Sequence, residues 1–123
     1  MPIDLSRDDT RRQFTATVHG SLTFHEAADF IRTVRVGEFQ PYALLFDMTD
    51  ATFELSSDQV RSLAAMIGTD LTRSGLRGRT AVVASDDLTF GMLRMFDAHV
   101  EHAGIATLSV FRTVAEAQSW LGG

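Results

Sequence analysis

The sequence predicts an α/β fold, a mixed, mostly parallel five-stranded sheet with four helices in the order ββαβαβαβα. Three observations carry this. Amphipathic helical stripes alternate with short apolar runs. Three segments open with the Ser/Thr-x-x-Glu/Gln spacing of a capping box, a helix-start signature. The first residues hold a charged turn followed by a strictly alternating segment, the pattern of a hairpin.

The elements follow in order. Residues 3–6 form a short first strand, and Arg7, Asp8, Asp9 and Thr10 read as a turn. Gln13–Val18 alternates, with Phe14, Ala16 and Val18 on one face and Thr15 and Thr17 on the other; Gly20 ends it. Thr23 and Glu26 cap the first helix, whose stripe is Ala27, Phe30, Ile31 and Val34; Gly37 stops it and Pro41 cannot continue it. Residues 42–48 are nearly all apolar, which suits a strand covered on both faces, and residues 49–55 form a loop. Ser56 and Gln59 open the second helix, with Val60, Leu63, Ala64, Ile67 and Leu71 inward and Gly75 and Gly78 as breakers. Residues 80–84 are a second buried strand. Asp86 or Asp87 caps a third helix over residues 88–102, whose stripe reads Leu88, Met92, Met95, Phe96, His99 and Ala103, with Gly104 after it. Residues 107–111 are the last strand. Thr113 and Glu116 cap a terminal helix with Val114, Ala117 and Leu121 inward beside Trp120.

A chain of 123 residues fits one domain spanning residues 1–123. Its 45% apolar and 22% charged residues are those of a folded globular protein. Without cysteine, disulfides and thiolate chemistry are excluded. All eleven basic residues are Arg, so Lys-based Schiff-base chemistry is excluded too. The net charge of −5 argues against a nucleic-acid partner, because phosphate binding needs a positive surface. Residues 1–12 lack the apolar run of a signal peptide, and no stretch reaches the ~18 apolar residues of a membrane span. The expected location is the cytoplasm, with no membrane insertion and no cofactor.

The segment Leu44-Leu45-Phe46-Asp47-Met48-Thr49-Asp50-Ala51-Thr52-Phe53, the element order and the position of Ser56 and Ser57 resemble the STAS family of anti-sigma-factor antagonists and sulfate-transporter tails. Within it, Val82-Val83-Ala84-Ser85-Asp86-Asp87, the run from Phe90 to Phe96, Val110-Phe111-Arg112 and Trp120-Leu121 look like small bacterial SpoIIAA-like proteins. The resemblance implies a regulatory module in which the Ser opening the second helix is the phosphoacceptor, here Ser56 or its neighbour Ser57. Two positions depart from that motif: Leu55 stands where the family has Asp, and Asp58 where Gly is expected.

The residues themselves offer further candidates. Asp47, Asp86 and Asp87 follow buried strands at the carboxyl end of the sheet, where ligands of open α/β sheets collect. They could hold Mg²⁺ or serve as helix caps and turn acceptors. Arg73, Arg77 and Arg79 form a basic loop suited to an anion or to plain solvation. His99 and His102 are three apart on the third helix, too few ligands for a metal site. Arg94 faces away from the stripe, near Asp97 and Glu101, as a binding residue or one half of a surface ion pair. Met92, Met95 and Phe96 form either core or an adaptable apolar surface.

The expectation is a non-catalytic regulatory or protein-interaction module working through the surface around Ser56 and the second helix. The alternative is a carrier of a small apolar, lipid-like ligand. A Mg²⁺ enzyme ranks last, since no nucleophile, base and orienting group can be named together. A homodimer through the strand edge of the hairpin is a further possibility.

Overall fold

The computed structural model describes residues 3–33, 37–39, 41–53, 55–74, 79–102 and 108–122. Two strands, β1 (Ile3–Asp8) and β2 (Gln13–Val18), form an antiparallel hairpin in which Ile3 faces Val18 and Asp8 faces Gln13. The strand outlasts its expected end at Ser6, and the turn falls two residues later. The Asp8 carboxylate is the cause. Its Oδ1 accepts the N–H groups of Thr10 and Arg11 at 3.0 and 3.1 Å, folding the chain back after Asp8 and not before it. Arg12 closes the turn at φ 55, and its carbonyl accepts the N–H of Ala43 at 3.0 Å.

Beyond the hairpin the sheet is parallel. The strands β4 (Ala43–Asp47), β6 (Thr80–Val83) and β7 (Leu108–Phe111) follow β2 in the order β1-β2-β4-β6-β7. Leu45 of β4 lies between Thr15 of β2 and Ala81 of β6, so β4 and β6 sit side by side inside the sheet. A separate two-stranded piece, β3 (Gly20–Leu22) with β5 (Ala51–Phe53), pairs in parallel where the sequence reads as a strand end and a loop. Gly20 makes the corner between β2 and β3 at φ 75, a backbone that side chains disfavour.

Each crossover carries a helix: α1 (Phe24–Thr33), α2 (Ser57–Ser74) and α3 (Asp87–His102); α4 (Val114–Leu121) follows the last strand. Right-handed crossovers along a one-way strand order put α1, α2 and α3 on one face. Side-chain alternation divides the core accordingly. Val18, Val82, Leu108 and Val110 pack with Ala27, Ala28, Val60, Leu63, Ala64, Leu93 and Phe96 from those helices. Leu45, Ala81 and Val83, pointing the other way, pack with Ala117 of α4. Both faces of β4 and β6 are thus dry, which accounts for their continuous apolar runs.

Two of the three expected capping boxes are formed in full, at Thr23 and Ser56; at Thr113 the cap forms, but Glu116 Oε1 takes the Thr113 hydroxyl and not its N–H. Thr23 Oγ1 accepts from Glu26 N–H at 3.2 Å while Glu26 Oε1 accepts from Thr23 N–H at 3.0 Å. Thr113 Oγ1 accepts from Glu116 N–H at 3.2 Å. The α3 stripe, however, is turned from its expected setting. Thr89, Leu93 and Phe96 are buried and Met92 is half-buried, whereas Leu88 and Met95 are 70% and 41% exposed. Thr89 reads as polar, yet it packs inward beside the Asp86 cap and so shifts the buried line one residue round the helix. Val114 of α4 is likewise exposed, with Ala117 carrying the contact. The side chains of Ile31, Val34, Ile67, Leu71, Arg73, Arg77, His99, His102 and Ala103, and the glycines Gly75, Gly78 and Gly104, lie outside the described residues. Among the described residues, no helix is long and apolar enough to cross a membrane.

Candidate functional site

The parallel strands end on one rim, and α2, α3 and α4 start from it. The rim is held firmly. Met48 N–H donates to the Val83 carbonyl at 2.8 Å, and Ala84 N–H donates to the Phe111 carbonyl at 3.0 Å, extending the ladder past the ends of the strands. From there a chain of side-chain bonds runs across three connections. Asp47 Oδ1 accepts from both the N–H and the hydroxyl of Thr49, at 3.0 and 2.8 Å. The Thr49 carbonyl accepts from the Ser85 hydroxyl at 3.2 Å. The Ser85 carbonyl accepts from Arg112 Nη1 at 3.1 Å, and the same nitrogen donates to Asp87 Oδ1 at 2.7 Å. The Arg112 guanidinium also lies 4.0 Å from the centroid of the Phe90 ring, a cation–π contact.

The expected acids are therefore brought to one rim, each with a local occupation. Asp47 shapes the turn after β4. Asp86 is the residue that caps α3, its Oδ2 accepting from Thr89 N–H at 2.9 Å. Asp87 is the first residue of the helix and pairs with Arg112. Among the described residues, no group of three His, Asp or Glu side chains could hold a metal ion. Arg94 is exposed two turns further along α3, and the rim does not include it. Arg112, which links two of these connections, is the residue that sequence reasoning did not single out. Its only signal is an Arg at the carboxyl end of a strand.

The bonds from Thr89 hold the Asp86 carboxyl below the usual aspartate range. A depressed folded-state value means stability that is present above the unfolded pKa of about 3.9 and lost as pH falls through the folded value. Asp86→Ala is accordingly expected to lower the melting temperature at neutral pH. The gap from the parent should narrow as pH drops below that of an unfolded aspartate. Parallel melts across pH check this; a constant gap would remove the charged cap from the account.

Ser56 and Ser57 are both exposed at the start of α2. Ser56 Oγ accepts from Gln59 N–H at 3.2 Å, and Gln59 Oε1 accepts from Ser56 N–H at 3.1 Å. Leu55, just before the cap, packs on the same core cluster as Val60, a hydrophobic staple that fixes the entry angle of the chain. Ser57 begins the helix, and Asp58 pairs with Arg61 at 2.7 Å. Of the apolar trio on α3, Phe96 is core, Met92 packs partly against it, and Met95 is outside.

No family model and no curated protein matches the sequence. Among solved structures, the chain is similar to an uncharacterised protein of the DUF3478 family with a SpoIIAA-like fold, from Shewanella loihica PV-4. The two share 18% identity and superpose with a TM-score of 0.55, covering 97% of this chain and 91% of that one.

Proposed function

Given a SpoIIAA-like fold over nearly the whole chain, we propose that the protein is a non-catalytic regulatory module that binds a protein partner through the surface around Ser56 and the start of α2. The observation that supports this reading best is the α2 entrance itself. Two serine hydroxyls stand in solvent on a helix start pinned from below by Leu55 and from the side by Gln59. Such a surface is anchored and accessible, and a phosphate added there would meet the positive end of the helix dipole. The acids of the rim act as caps and turn acceptors in this reading, not as proton-transfer groups.

Two variants separate signalling from capping. Ser56→Ala removes the cap and is expected to cost about 1 kcal/mol in urea denaturation. Ser56→Asp keeps a good cap and adds charge, so its stability should stay near that of the parent. In affinity capture from the source organism, the parent and Ser56→Ala should hold the same specific partner, and Ser56→Asp should lose it. Identical partners for all three would sink a switch at Ser56. A lipid-like mass retained by the purified chain in native mass spectrometry would instead favour the apolar-ligand reading, with Met92 and Phe96 facing the ligand.

A further inference from the structure

The outward face of α3 does not depend on the reading of Ser56, and it carries its own signal. Leu88 is the most exposed of the large apolar side chains described, and Met95 lies two turns further along the same face. Between them is Gly91, exposed in mid-helix; among the described residues, no atom beyond its own stretch of helix lies within 4 Å of where a side chain would begin. Glycine weakens a helix relative to alanine, and among the described residues nothing approaches closely enough to require it here. Charges flank the same strip: Asp87 and Arg94 lie along one side, again two turns apart.

We infer that this face of α3 pairs with the same face of a second copy, antiparallel, about a two-fold axis beside Gly91 and Met92. The spacing is self-complementary. In such an isologous contact, residue i meets residue j and j meets i. An axis at the centre of the strip seats Leu88 against Met95 of the second copy, twice over, with Gly91 letting the backbones come close. The same axis brings Arg94 of the second copy to within about 3 Å along the helix of the level of Asp87, within reach of its long side chain, so two Asp87–Arg94 contacts form across the dimer. Asp87 is free to do this: its Oδ1 holds Arg112, but its side chain remains 93% exposed. The β1 edge is the poorer candidate, because Asp4, Arg7 and Asp8 line it and charged edges resist strand addition.

The absence of cysteine from the natural chain makes the test clean. Light scattering or sedimentation of the full chain should give twice its 13.5 kDa mass. Met95→Glu should return the monomer mass while keeping the secondary structure seen by circular dichroism, since Met95 is outside the core; its melting curve should lose the concentration dependence of a dimer. Arg94→Asp should weaken the dimer, and Asp87→Arg combined with Arg94→Asp should restore it. Under mild oxidation Gly91→Cys should become a disulfide-linked dimer, whereas Ser119→Cys, exposed on α4, should not. A monomer at every concentration overturns the inference. So does a dimer that Met95→Glu leaves intact and that Gly91→Cys links no faster than Ser119→Cys.

Discussion

Phe14→Ala is expected to lower the unfolding free energy by about 3–5 kcal/mol. Phe14 projects from β2 into an aromatic cluster at the end of the sheet opposite the rim. Its ring lies 5.7 Å from Phe39, edge to face at 78°, and 5.5 Å from Tyr42. Phe39 and Tyr42 in turn meet at 5.3 Å and 85°. Two guanidiniums close the cluster from outside, Arg7 at 4.7 Å from the Phe39 ring and Arg12 at 5.7 Å from that of Tyr42. The Tyr42 hydroxyl donates to Asp9 at 2.8 Å, and that carboxylate pushes the phenol pKa above its usual value. Removing the central ring forfeits its own burial and leaves a cavity that Phe39 and Tyr42, tethered in this way, cannot fill. Urea denaturation reads the loss. A cost below about 1 kcal/mol would mean that the neighbours collapse into the gap, against the packing described here.

Gln118→Leu is expected to cost about 1–3 kcal/mol although it adds apolar surface. Gln13 of β2 is 7% exposed, a rarity for an amide side chain. It is tolerated because Gln118 of α4 meets it amide to amide. Gln13 Nε2 donates to Gln118 Oε1 at 3.0 Å, and Gln118 Nε2 donates to Gln13 Oε1 at 2.9 Å. A leucine at 118 strands both ends of the Gln13 amide in a dry place, where the remaining contact to Thr15 Oγ1, 3.4 Å, is poor compensation. The double variant, Gln13→Leu with Gln118→Leu, should recover most of the loss, because it removes donor and acceptor together. A double-mutant cycle measures this coupling. Simple additivity of the two single costs would show that the amide pair does not anchor α4.

The parts of this fold that could be read in the sequence are those decided locally or by burial on two sides. Residues 42–48 and 80–84 read as interior strands because both of their faces are covered, and the pairing of Leu44 with Thr80 through Asp47 with Val83 places them as neighbours. Capping needs only three-residue spacing, and Thr23, Ser56 and Thr113 each cap a helix, the first two with a full box. The β3–β5 pair escaped because three residues are too few to show a period. The α3 face was misjudged because a threonine packs inward while a leucine and a methionine stand in water; hydrophobicity alone cannot separate a core stripe from an outward one. Asp47, Asp86 and Asp87 fall at the strand ends as expected, yet the tie of Arg112 to Ser85 and Asp87 is not legible locally, because those partners lie 27 and 25 positions away. The amide pair of Gln13 and Gln118 is beyond reach for the same reason, being 105 positions apart.

The order in which the strands lie has a bearing on how the molecule comes together. Each is laid beside the one made before it, like planks on a deck, so none has to be wedged between two already joined. The hairpin needs only a turn, and each parallel join a connection built round one helix, a modest entropic toll at each step. The exception is α4, which reaches back over β4 and β6 and meets Gln13. Until it docks, the reverse side of the middle strands stays wet, and its arrival locks planks that were laid far earlier.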